Sequence, residues 1–220
     1  MEKLDMTVIN RTMDALRKNN MQPFFCEKKE DAAGLVAALM KKGDTVSHGG
    51  SVTLKETGIT KLLSGGDYNY LDRSKEGLTR EDVENIYRQT FSADVFLTSA
   101  NAVTERGELY NVDGNGNRVA AIVYGPKSVI VVVGVNKIVS DLDEAVKRVK
   151  TIAAPMNTKR LECNTYCAGE GGCVSLCDDY SFMSDGCHSE NRICCSYLVS
   201  AQQRVKDRIK VVIVGESLGY

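Results

Sequence analysis

The feature that most constrains this chain is a set of short runs that are apolar at nearly every position. "ADVFLTSA" (93–100), "RVAAIVY" (118–124) and "KSVIVVVGV" (127–135) are bounded by Gly, Asn and Pro, and "RIKVVIVG" (208–215) follows near the end. A strand with one wet face alternates apolar and polar residues. A run that does not alternate is a strand covered on both faces, the habit of parallel sheets. The longest aliphatic run, Val129 to Val135, is far too short to cross a bilayer.

Between and before these runs the period changes to that of helices. Leu4, Val8, Ile9, Met13 and Leu16 recur at helical spacing and stop at Asn19-Asn20. "MQPFFCE" reads as a strand. "EDAAGLVAALMKKG" puts Leu35, Val36, Leu39 and Met40 on one face, with two lysines in the last turn and Gly43 as terminator. "SVTLKETGITKLLSGG" groups Leu54, Ile59, Leu62 and Leu63. "LTREDVENIYRQTF" opens on Thr79 and Asp82, the spacing of a capping box. "SDLDEAVKRVKTIAA" reads as a helix capped by Ser140, and "ELYNVDGNGNRVAAIVYG" as a hairpin turning at Asp113 to Gly116. Strands alternating with helices, then clustering, predict an α/β sandwich around a mostly parallel central sheet.

At 220 residues the expectation is a single domain, 1–220, with a core that needs no covalent staples. One composition break stands out over 156–192, and it defines a Cys-rich, insertion-bearing segment at 156–196. Lys and Arg total 28 against 29 Asp and Glu, which leaves no basic excess for phosphate backbones. With no Trp there is little for base stacking. Nucleic acid and membrane insertion are therefore not expected. The first residues lack an apolar signal core, so a cytoplasmic location is expected.

Two regions carry possible chemistry. In "SHGGSVTLKETG", a strand runs into Gly49-Gly50-Ser51, and a helix leaves near Val52. Such a turn either binds an anion, through Gly49, Gly50, Ser51 and Thr53, or is an ordinary capped connection. His48 beside it is a weak candidate base. The second region holds polar residues at strand ends. Asn101, Asn117, Arg118, Asn136 and Lys137 would converge on one rim, since ligands bind at the carboxyl ends of strands in open α/β sheets. Arg118 and Lys137 favour a small anionic organic acid or phosphate.

Seven of the eight cysteines fall between Cys163 and Cys195. In a reducing compartment such thiols point to a metal or to redox chemistry rather than to stable disulfides, and inert thiols remain an alternative.

"GGSVTLKETGI", the long block "TSANAVTERGELYNVDGNGNRVAAIVYGPKSVIVVVGVNKIV", "RIC" and "KVVIVGESLGY" resemble the LUD (lactate utilisation protein) domain family over nearly the whole chain. The resemblance implies a NagB/RpiA/CoA-transferase-like sandwich with a Cys-rich C-terminal loop. It also implies a part in bacterial oxidation of L-lactate to pyruvate, as a subunit of an iron–sulfur oxidoreductase system beside other lactate-utilisation subunits. Sugar-phosphate isomerase relatives carry a catalytic Asp where this chain has Asn101, which cannot ionise. Glu105 is then a weak candidate carboxylate nucleophile of CoA-transferase type. The pattern of short LUD-like proteins matches Cys167, Cys173, Cys187 and Cys194, with Cys177 as a substitute carried by an insertion. Those four imply an iron–sulfur cluster, with zinc as the alternative. Two rival functions follow: a CoA-transferase or isomerase-like enzyme, and a non-catalytic zinc-binding regulatory or scaffold subunit.

Overall fold

The computed structural model describes residues 5–177 and 182–220. Leu4 of the first helix and part of the cysteine-bearing insertion lie outside the described residues. In chain order the elements are α1 (Met6–Lys18), β1 (Gln22–Cys26), α2 (Lys29–Ala38), β2 (Thr45–His48), α3 (Val52–Glu56), α4 (Ile59–Leu63), β3 (Asn69–Tyr70) and α5 (Arg80–Thr90). Then come β4 (Val95–Thr98), β5 (Ala102–Thr104), β6 (Leu109–Asp113), α6 (Asn117–Val123), β7 (Ser128–Gly134), β8 (Ile138–Val139) and α7 (Leu142–Arg148). Last are α8 (Ala154–Arg160), α9 (Tyr166–Glu170), β9 (Ser196–Ser200) and β10 (Ile209–Val214).

Six strands form one all-parallel sheet in the order β1-β10-β7-β4-β2-β3. The expected α/β fold with a parallel central sheet is therefore present. The doubly apolar runs explain it. In β7, Val129, Val131 and Val133 pack on one side with Ile9 and Leu16 of α1 and Ile122 of α6. Ile130 and Val132 pack on the other side with Val36 of α2 and with Leu54, Ile59 and Leu63 of α3 and α4. Each buried Val or Ile contributes about 1.5–3 kcal/mol relative to exposure.

A second sheet, β8-β5-β6-β9, is mixed. Val103 and Leu109 face the large sheet, whereas Ala102, Tyr110 and Val112 face α7. The period of two thus serves two cores at once.

Several expectations are corrected. "RVAAIVY" is not a strand but helix α6, and Asp113–Gly116 is not a hairpin turn. The Asp113 carboxylate accepts from the Arg118 and Val119 N–H groups and so caps α6, while Gly116 takes φ 79°, open to glycine. The hairpin lies earlier, between β5 and β6. Helix α2 ends at Ala38, ahead of its two lysines. Helix α7 is capped by Asp141, to which Ser140 merely donates. It passes through a π turn at Val149–Ala153 into α8, directly ahead of Pro155, which has no N–H to donate. The Thr79–Asp82 capping box forms as expected.

Candidate functional site

Strands β7, β4 and β2 are neighbours in the large sheet, so their carboxyl ends lie side by side. They open into a polar cavity of about 310 Å³. Gly50, Ser51 and Thr53 line it from the end of β2, Ser99 and Asn101 from the end of β4, and Lys137 from beyond β7. Asn117 and Arg118 line it from the start of α6. Its far wall comes from Arg73, Asn157, Arg160, Arg192 and Tyr220.

Five cations therefore face one space. Among the described residues no carboxylate lies within 4.0 Å of the side-chain charge of Arg73, Arg118, Lys137, Arg160 or Arg192. The carboxylate in the wall is Asp113, whose Oδ2 is taken up by the α6 N–H groups. Burying cations without a counterion is costly, so this arrangement favours an anion.

Each cation is held by neutral partners. Arg118 donates to the Ser99 carbonyl at 3.0 Å, to Asn111 Oδ1 at 3.1 Å, to Asn101 Oδ1 at 2.9 Å and to the Val112 carbonyl at 2.5 Å. Its stem passes over Gly49, where a Cβ would sit 3.0 Å from Arg118 Cδ. Asn101 also accepts from the Val112 N–H, so it fastens Arg118 rather than serving as a free ligand. Arg160 donates to Asn157 and to the Tyr220 hydroxyl. Arg73 donates to the Tyr87 hydroxyl at 3.0 Å. Behind the wall, Arg148 is buried and donates to the carbonyls of Asn136 and Asn101.

Lys137 is 3% exposed. Burial, then Arg148 and Arg118, push its ammonium down to about 7, against a weak opposing pull from Glu56. Burial likewise lowers the Arg118 and Arg148 guanidiniums.

Not every candidate meets the cavity. Gly49 sits behind it under Arg118. Asn136 turns to the C-terminal tail, accepting from the Leu218 N–H at 3.0 Å. Helix α3 is a little over one turn long, and Ser51 caps it by accepting from the Leu54 N–H. The attraction for an anion thus comes from side-chain cations. His48 is buried, stacks on Tyr70 at 5.8 Å and donates from Nδ1 to the Gly49 carbonyl. Burial lowers its pKa, and it does not line the cavity. Glu105 lies on the β5–β6 turn, paired with Arg11 and away from the cavity.

Arg73, Tyr87, Arg160, Arg192 and Tyr220 were not anticipated from the sequence. They come from a loop, two helices, the cysteine segment and the chain's end, and no spacing links them.

The four matched thiols gather elsewhere. Cys167, Cys173, Cys187 and Cys194 line one apolar cavity of about 20 Å³, together with Tyr110, whose buried hydroxyl has no hydrogen-bond partner among the described residues. Cys177 is exposed and lies outside it. Cys167 shares hydrogen bonds with Thr158 and Thr165, and Cys173 with Ser175. Burial raises the Cys194 thiol pKa, which favours the neutral form. Among the described residues no three His, Cys, Asp or Glu side chains close into a metal-holding group. As placed, these thiols do not close around a single metal ion.

Arg192 joins the two cavities. It lines the polar one and donates to the carbonyls of Cys187 and Cys194, which line the apolar one.

The family model for the LUD domain matches residues 9–214. A DUF162-family protein from Deinococcus radiodurans is similar in structure, with TM-score 0.51 and 16% identity over 95% of this chain and 96% of that one. At that identity the likeness concerns the fold. eIF2B beta from Chaetomium thermophilum aligns with TM-score 0.35 and 17% identity over 63% of this chain and 49% of its own, too low to carry an argument. A search of curated proteins found no match.

Proposed function

The chain belongs to the LUD-domain family, and on that premise we propose that its cation-lined cavity binds a small organic acid of the L-lactate or pyruvate class. In this reading the protein is the acid-binding subunit of a system that uses such acids. The observation that supports it is the set of five cations without carboxylate partners around a space of about 310 Å³. A carboxylate there would accept charge-assisted hydrogen bonds that Asp113 does not accept.

The mechanism rests on this chain's own groups. Arg73 and Arg160, held by Tyr87, Asn157 and Tyr220, orient the carboxylate. Arg118 fixes the wall and supplies positive field. Lys137 at the base sits where the acid's hydroxyl or carbonyl oxygen would lie and can hold or release a proton near pH 7. No step runs through a metal, because the four thiols as placed do not fit one. Iron and zinc content of anaerobically purified protein tests that point directly.

A CoA-transferase reading gains no support, since Glu105 is away from the cavity and Asp113 is occupied as a helix cap. The test of the main reading is thermal unfolding with added L-lactate, pyruvate or inorganic phosphate. An organic acid at 100 times its Kd should stabilise the fold by about 2.7 kcal/mol. No shift with any of the three contradicts it.

A further inference from the structure

We propose that Lys137 is a catalytic amine that forms a covalent imine with the C2 carbonyl of a 2-oxo acid held in the cavity. This rests on the anion-binding reading and deepens it, since it names both the carbonyl class of the ligand and the atom that attacks.

The geometry supplies three parts of the argument. First, Nζ donates to Thr53 Oγ1 and to Ser99 Oγ, both at 3.0 Å. Those hydroxyls pass their own protons on, Thr53 to the Leu218 carbonyl and Ser99 to the Ala100 carbonyl. Both therefore accept from the lysine. A neutral amine has two N–H bonds and one lone pair. With both N–H groups engaged, the lone pair is left over for an electrophile. Second, no carboxylate among the described residues lies within 4.0 Å of Nζ, so nothing holds the group as an ammonium by pairing. The charged groups facing it are Arg148 from α7, Arg118 from α6 and Glu56 from α3. Two of these three are cations that oppose its protonation, in agreement with a pKa of about 7 and a large neutral fraction at neutral pH. Third, Lys137 lines the cavity whose other cations would hold the carboxylate next to the carbonyl. Desolvated lysines beside other cations are the activated form of this nucleophile.

The step balances without an outside reagent. The Nζ lone pair forms a bond to C2, and the carbonyl π electrons move to oxygen. The two amine protons go to that oxygen, the C–O bond breaks and water leaves. A C=N double bond between Nζ and C2 remains.

The experiment is reductive trapping on the full-length protein with pyruvate as probe and borohydride as reductant, read by mass spectrometry of the digested protein. Thermal unfolding with pyruvate is measured in parallel. The expected result is a pyruvate-dependent reduced adduct on the peptide carrying Lys137, lost in Lys137→Met, with a rise in melting temperature. Inorganic phosphate should compete with the adduct. A thermal shift without a Lys137 adduct overturns the imine and leaves the anion site standing. An adduct spread over surface lysines also overturns it. Absence of both shift and adduct overturns the anion reading and the imine together. If Lys137→Met does not fold, localisation of the adduct in the unaltered protein still decides the matter.

Discussion

The two cavities are built in opposite ways from one chain. The polar one sits on the ends of three adjacent parallel strands, is walled by cations and encloses about 310 Å³. The apolar one is lined by four thiols, all carried by the segment after α8, and encloses about 20 Å³. The base of the first is positioned by a sheet buried on both faces, so Thr53, Ser99 and Lys137 follow on the ends of β2, β4 and β7. The second is held by side-chain bonds such as those of Arg192 to Ser184, Cys187 and Cys194. The contrast teaches that the cations and the thiols of this chain gather in separate places, the cations over the sheet ends and the thiols beyond α8.

The largest expected effect breaks the scaffold of the polar cavity. Ile130→Ala removes a fully buried side chain from the middle of β7 and should cost about 2–5 kcal/mol in denaturant unfolding. Arg192→Ala should cost less, since it removes a half-buried loop clamp. If the two cost the same, the distinction between scaffold and loop fails.

Next comes Asn101→Ala. It strips the shared acceptor of the Arg118 and Val112 donors, and leaving them unsatisfied should destabilise by about 1–3 kcal/mol. Anion affinity should fall with it.

The pH dependence is the third test. The pKa of Lys137 falls from an ordinary 10.5 to about 7 on folding. Between those values the unfolded chain holds the proton and the folded chain does not, so stability rises with pH across that window. Below about pH 7 the burial penalty is fully present. Lys137→Met should flatten this part of the profile and gain most on the acid side. An unchanged slope between pH 7 and 10 contradicts the assignment.

The smallest effects concern reactivity. Exposed Cys177 and Cys195 should react with a thiol reagent before buried Cys167 and half-buried Cys194, whose raised pKa also slows it. Thiol counting in the native protein checks the order. Equal rates would mean that the apolar cavity is open in solution.

Much of this fold was legible because β7 and β10 carry apolar residues on both faces, a pattern that solvent-facing strands cannot adopt. Helix α6 was not, since "RVAAIVY" is apolar at positions that suit either period. Its true signal, Asp113 capping across Gly116, looks like hairpin chemistry. The short strands β5 and β8 offered too few residues for any period to show. At the site, Thr53, Asn101, Arg118 and Lys137 could be expected because strand ends bring them together. Arg73, Arg160, Arg192 and Tyr220 could not, because their meeting depends on how distant segments fold back over the sheet. The cysteine spacing did bring four thiols to one cavity, but spacing says nothing of the room between them.

Binding of a small organic acid in the cation-lined cavity is the central claim to test. Isothermal titration of pyruvate and of L-lactate into the purified protein at low ionic strength tests it most directly. The account predicts saturable binding at one site per chain for at least one of the two. It also predicts roughly tenfold weaker binding in Arg160→Gln, about the 1.4 kcal/mol of one charge-assisted hydrogen bond. No saturable heat from either acid, or binding untouched by Arg160→Gln and Arg73→Gln together, would contradict it.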